Sequence, residues 1–127
     1  MTAKNYRIGN YIMFGELRHE VTYHDIRNLY KSENTLSESY KDIPLTPEWF
    51  IKLGFTKGNK CYKTAYSIEV LKTDFYLRPS YKGGFYWGFN ISDNKLDCEL
   101  NDVKPIKYVH ELQNLYFALT GEDLRIL

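Results

Sequence analysis

The spacing of apolar and polar positions divides the chain into short strands and two helices. From Tyr6 to Phe14, Tyr6, Ile8, Ile12 and Phe14 fall on one side, while Arg7, Gly9 and Tyr11 fall on the other. That period-two alternation predicts a half-buried strand. Gly15-Glu16 reads as a turn into a second strand, Leu17 to Tyr23, and Ile26 to Tyr30 reads as a third, short one. Lys31 to Tyr40 is rich in Ser, Glu and Asn, with Leu36 its only aliphatic residue, and reads as an exposed loop.

The strongest local signal follows, in Ile43-Pro44-Leu45-Thr46-Pro47-Glu48-Trp49-Phe50-Ile51-Lys52-Leu53-Gly54-Phe55. Thr46 suits the N-cap, where a hydroxyl accepts from an unpaired amide of the first turn. Pro47 suits the first helical position, where its missing N–H costs nothing. Glu48 complements the positive end of the helix dipole, and Gly54 can take the left-handed conformation that ends the helix. A short helix over about 47–53 is predicted, with Trp49, Phe50 and Leu53 available for packing. Leu45 and Phe50 are spaced to form a hydrophobic staple.

From Phe55 to Ser92 the pattern is that of β-structure. Tyr66, Ile68 and Val70 share a face within Tyr62 to Val70, and Asp74 to Arg78 is a short strand stopped by Pro79. After Lys82-Gly83-Gly84, Phe85, Trp87, Phe89 and Ile91 alternate with Tyr86, Gly88 and Asn90. The first set is expected to face the core. Asp93 to Asp102 is acidic and turn-prone. Beyond Pro105, Val109, Leu112, Tyr116 and Leu119 recur at helical spacing, widened by Tyr108 and Leu115, so a helix over about 106–119 is predicted, stopped by Gly121. The expected architecture is α+β: a mainly antiparallel sheet with two helices packed on it, in one domain spanning residues 1–127.

Composition narrows the function classes. The chain has 127 residues with 17 Lys+Arg, 16 Asp+Glu and a formal net charge of +1, so it offers no overall attraction to nucleic acid. The charge is uneven, however: residues 47–90 hold seven basic and three acidic groups, leaving room for a basic patch in the middle of the chain. Aromatic content is 17%, with twelve Tyr, a residue that offers large contact area at low entropic cost. No apolar run approaches the ~20 residues of a membrane span, and the opening Met-Thr-Ala-Lys-Asn-Tyr-Arg carries no signal-like apolar core. The expectation is a cytoplasmic protein without membrane contact. Cys61 and Cys98 lie far apart without CxxC spacing and read as reduced thiols.

Catalytic and metal signatures are not legible. His19 and His24 sit on opposite faces of the strand predicted there, and His19, Asp25 and Cys61 would meet only through an unforeseen fold. His110 reads as a residue at the edge of the last helix's apolar stripe. No Gly-x-Ser-x-Gly motif, phosphate loop or acid–base pair stands out. The reading is therefore a non-enzyme, without cofactor or metal. Arg78, Tyr81, Lys82, Tyr86 and Asn90 combine positive charge, aromatic area and expected exposure around the glycine turn, and are the candidate partner-binding residues.

Three stretches carry a resemblance. They are Tyr6-Arg7-Ile8-Gly9-Asn10-Tyr11-Ile12, Ile43-Pro44-Leu45-Thr46-Pro47-Glu48-Trp49 with Lys52-Leu53-Gly54-Phe55, and Tyr108-Val109-His110-Glu111-Leu112-Gln113-Asn114-Leu115-Tyr116-Phe117-Ala118-Leu119-Thr120-Gly121-Glu122. Together they resemble a family of small phage and prophage proteins of Bacteroidota that carries no established activity, so no site residue transfers. The resemblance implies a bacterial host cytosol and a phage accessory role, most simply an inhibitor that binds a host defence machine, such as an anti-CRISPR protein. The implied partner is a host protein or ribonucleoprotein complex, a CRISPR effector among them, with direct nucleic-acid contact and a homodimer both open. A phage nucleic-acid-binding protein in replication or regulation is the alternative.

Overall fold

The computed structural model describes residues 6–31, 40–58, 63–70, 73–80, 83–91, 96–99 and 105–127. Its elements in chain order are β1 (Tyr11–Phe14), β2 (Leu17–Glu20), α1 (Tyr23–Lys31), β3 (Tyr40–Lys41), α2 (Pro47–Lys52), β4 (Thr56–Lys57), β5 (Tyr66–Val70), β6 (Thr73–Pro79), β7 (Phe85–Ile91), β8 (Leu96–Glu99) and α3 (Val109–Thr120). The architecture is α+β and mostly sheet, as the pattern predicts. The strands form two antiparallel sheets, ordered β2-β1-β3 and β4-β5-β6-β7-β8. Residues 1–44 with 108–124 make one compact unit, and residues 45–107 with 125–127 make a second.

In the first unit the opening strand is shorter than the alternation predicts. The Asn10 amide donates to the Arg7 carbonyl at 3.0 Å, closing a β-turn whose third residue, Gly9, has φ 94°. The Asn10 side chain accepts the Arg7 amide at 2.6 Å, which fixes the turn further. Ile8 therefore stands on a turn, 54% exposed, and the strand starts at Tyr11. The Gly15-Glu16 turn joins β1 to β2 as expected, in the register Phe14↔Leu17 to Tyr11↔Glu20.

Ile26 to Tyr30 is not a strand. It lies inside α1, because Thr22 and Asp25 form a capping box: the Thr22 amide donates to Asp25 Oδ2 at 2.7 Å, and the Asp25 amide donates to Thr22 Oγ1 at 3.4 Å. Val21 ends the preceding strand region, donating to the Asn10 carbonyl and accepting from the Gly9 amide. Tyr6, Ile12, Val21 and Tyr40 form the apolar core beneath, with Ile26 packed against it. The loop expected over Lys31 to Tyr40 lies mostly outside the described residues, and Tyr40 itself is in β3.

Helix α3 packs on β1 and starts at Val109, later than predicted. Ile106 is held instead by two backbone hydrogen bonds with Phe85, and Tyr108 is the extended N-cap, its amide donating to the Glu111 carboxylate at 3.0 Å. The buried face is Val109, His110, Leu112 and Gln113. Tyr116 is half-buried and Leu119 exposed, so the stripe is rotated toward two polar residues.

In the second unit, α2 begins at Pro47 after an extended Thr46, but the Thr46 hydroxyl makes no cap bond. Its carbonyl accepts the Trp49 and Phe50 amides instead. The helix ends as predicted: Gly54 is left-handed (φ 93°), its amide bonds the Ile51 carbonyl, and the Phe55 amide bonds the Phe50 carbonyl. That pair of bonds is the Schellman arrangement. Phe50 stacks on Tyr66 at 4.7 Å between centroids and meets Phe85 edge-on at 4.9 Å, which seats α2 on the sheet.

Strand β6 is buried on both faces: Phe75, Tyr76 and Leu77 are all fully buried. That reverses the expectation for β7. Tyr86 and Gly88 are buried, while Phe85, Trp87 and Phe89 are half-buried. Gly88 lies directly opposite Tyr76 in the β6–β7 register. The region expected to be turn-like after Asp93 contains β8, paired with β7 from Gly88↔Glu99 to Ile91↔Leu96.

Candidate functional site

Of the residues singled out from sequence, Arg78, Tyr86 and Asn90 lie among the described residues. Arg78 and Tyr86 are cross-strand neighbours on β6 and β7, with the guanidinium carbon 5.8 Å from the ring centroid. Tyr86 is only 6% exposed, so it is no free aromatic platform, and Arg78 is half-buried. Asn90 sits in register between Asp74 of β6 and Asp97 of β8. Tyr81 and Lys82 lie outside the described residues, as does Cys61. Alternation assigned Tyr86 to the face opposite Phe85 and Trp87, but alternation alone does not say which face is covered.

An exposed apolar pair that the sequence did not single out is on the first sheet. Phe14 and Leu17 close the β1–β2 hairpin as directly opposed partners, which puts both side chains on one face of the sheet. Phe14 is 42% exposed and Leu17 76%. Phe14 rests edge-on against Tyr40 at 4.9 Å and lies 5.9 Å from the His19 ring. The tip is thus apolar on a face whose inner part, Ile12 and Tyr40, is core.

Asp25 secures that tip from below. Its Oδ2 accepts from the Thr22 amide (2.7 Å), the Thr22 hydroxyl (2.9 Å) and bonds His19 Nε2 (2.7 Å), while its Oδ1 accepts the Tyr40 hydroxyl at 2.9 Å. Burial pushes the Asp25 carboxyl up, but the bonds from Thr22, His19 and Tyr40 outweigh it and hold the pKa below the ordinary carboxylate value. The same burial and the Asp25 carboxylate push the Tyr40 phenol up. Of His19, Asp25 and Cys61, expected to meet only through an unforeseen fold, the first two do meet, and Cys61 lies outside the described residues. A helix stands where a strand was predicted, and its capping carboxylate faces β2. The Thr-x-x-Asp spacing was the available signal.

A second histidine–aspartate–tyrosine group lies at the start of α3. His110, expected at a boundary, is 5% exposed, with its Nδ1 3.6 Å from Asp42 Oδ1. Tyr6 donates its hydroxyl to the same Oδ1 at 2.5 Å, and its ring meets His110 edge-on at 4.9 Å. Burial lowers the His110 pKa, against the opposing pull of Asp42 and Glu111. Burial and the Asp42 contact together push the Tyr6 phenol far above its ordinary value.

Neither group gathers a nucleophile or a ligand set: among the described residues no three His, Cys, Asp or Glu side chains converge to hold a metal ion. Among the same residues no helix is long and apolar enough to cross a membrane. No protein-family profile, curated protein or solved structure matches the chain.

Proposed function

We propose that this is a phage accessory protein that works by direct binding, inhibiting a host defence machine such as a CRISPR effector. One observation carries the reading: two large apolar side chains, Phe14 and Leu17, are presented side by side at a hairpin tip that is buttressed from beneath by Tyr40, His19 and Asp25. Exposing apolar surface costs solubility, and a preorganised exposed apolar pair fits a contact residue better than a free surface. The phage-type motifs supply the context, a bacterial host cytosol and a host protein or ribonucleoprotein partner. The contact surface in this reading is centred on the hairpin of the first unit.

A tagged pull-down from a Bacteroidota host with active defence systems, treated with nuclease, tests the reading. The expected result is one defence complex retained by the native protein and lost with Leu17→Asp. Equal retention by Leu17→Asp removes the hairpin from the interface, and no retained complex removes the inhibitor function.

A second reading, a phage nucleic-acid-binding protein in replication or regulation, draws on Phe85, Trp87 and Phe89, which are half-buried and alternate along β7 within the basic middle of the chain. Aromatic faces beside positive charge bind single strands by stacking. Capture of nucleic acid alone, weakening steeply with salt, would favour it.

A further inference from the structure

The His110 imidazole is a buried titratable group that packs against aromatic rings but leaves a ring nitrogen unpaired. Its Nδ1 is sealed from solvent and has no hydrogen-bond partner among the described residues. A buried polar atom left unpaired costs about 1–3 kcal/mol, so its persistence calls for a reason. The atom faces Asp42 Oδ1 across 3.6 Å, too long for a hydrogen bond and too short to be indifferent to charge.

The groups that face the ring come from three segments. From the segment leading into β1 comes Tyr6, whose ring edge lies on the imidazole and whose hydroxyl occupies Asp42 Oδ1. From the segment after β3 comes Asp42, whose side chain is 27% exposed. From α3 itself come Tyr108, stacked at 6.0 Å, and Glu111, whose charge reaches the ring. Among the described residues the charges that act on the ring are two anions, Asp42 and Glu111.

We propose that His110 is a proton-responsive latch on the start of the first sheet: a proton taken up by the buried imidazole draws it and Asp42 together, and loosens the Tyr6–Asn10 segment that rests on both. The movement follows from lengths. A charge-assisted N–H···O bond spans about 2.8 Å, so the 3.6 Å gap must shorten by about 0.8 Å. Tyr6 touches both moving groups, the ring by its edge and the carboxylate by its hydroxyl. It cannot keep both contacts unchanged. Behind Tyr6 are the Arg7–Asn10 turn and the Gly9–Val21 bond that align β1 with β2. The latch thus connects the protonation state of α3 to the β1–β2 pair that forms the hairpin.

The test is an NMR pH titration of the full chain between pH 7.5 and 4.5, following the His110 ring nitrogens and the amide exchange of Gly9 and Tyr11, corrected for intrinsic rates. The expected result is a loss of protection at Gly9 and Tyr11 of at least tenfold, with the same midpoint as His110. In His110→Gln that step should vanish. Because a substitution at a buried ring can unsettle the unit, Asp42→Asn supplies an independent check: it removes the attracting charge, and the shared midpoint should move to lower pH for ring and amides alike. Protection that stays constant through the His110 midpoint overturns the latch. So does a protection step that survives in His110→Gln, or one that fails to follow the ring midpoint in Asp42→Asn.

Discussion

Gln113 serves the backbone of Tyr11 across a sequence separation of 102 residues: its Oε1 accepts the Tyr11 amide at 2.7 Å in a buried site. Its Nε2 donates to the Gly9 carbonyl at 3.2 Å and to the Leu124 carbonyl at 3.0 Å. Beside it, Asn10 Nδ2 donates to Asn114 Oδ1 at 2.9 Å. One side chain therefore satisfies three backbone groups from two segments. This explains why an amide, rather than a leucine, occupies the inner face of α3.

Gln113→Leu should accordingly be costly despite conserving volume. It orphans one amide and two carbonyls, and each buried unpaired group costs about 1–3 kcal/mol. Allowing for relaxation, a loss of about 2–4 kcal/mol is expected in urea unfolding. A change below about 0.5 kcal/mol would show that water or repacking replaces all three bonds.

Leu17→Asp should leave stability within about 0.5 kcal/mol, since the side chain is exposed and packs little. Partner capture should fall at least tenfold in the same preparation. Comparing thermal unfolding with retention on a partner column separates a contact residue from a folding defect.

Asp25→Ala removes the cap of α1, worth about 1 kcal/mol, and leaves the Tyr40 hydroxyl without its acceptor. A total loss of about 2–4 kcal/mol is expected at neutral pH. Since the folded-state pKa lies below the ordinary 3.8, the native advantage is fully present above 3.8 and is lost as pH falls through the folded value. Urea midpoints of both proteins, measured from pH 6 to pH 2.5, should converge at the acid end.

His110 has the opposite charge type and a lowered folded-state pKa, so acid works against it from higher pH. Below the ordinary 6.5 the unfolded chain takes up a proton that the folded chain resists. Its contribution is full above 6.5 and declines as pH falls toward the folded value. Denaturant midpoints should drop between pH 7 and pH 5 in the native protein, and His110→Gln should flatten that slope. An equal slope in both would place the acid sensitivity elsewhere.

Much of the fold was legible because its signals are local. Pro47 and Gly54 bracket α2 within nine residues, and the Schellman bonds depend on nothing farther away. The strands from Tyr66 to Ile91 follow from alternation, since a pleated chain must present successive side chains to opposite sides. Helix α1 was legible too, in Thr22-x-x-Asp25, but the apolar spacing of its short core was read with the wrong period.

The sequence by itself determined the α+β class, the ends of α2, the Gly15-Glu16 turn and the positions of the long strands, because propensity, capping and pleat act over a few residues. Only the tertiary structure decided which face of each strand and helix is buried. Strand β6 is covered on both sides, so Tyr86 is hidden although its neighbours alternate correctly. Gln113 is inside because backbone groups more than a hundred residues away in sequence meet it there. A polar side chain is buried only where partners arrive from elsewhere in the chain, and that arrival is a property of the packed molecule, not of the local sequence.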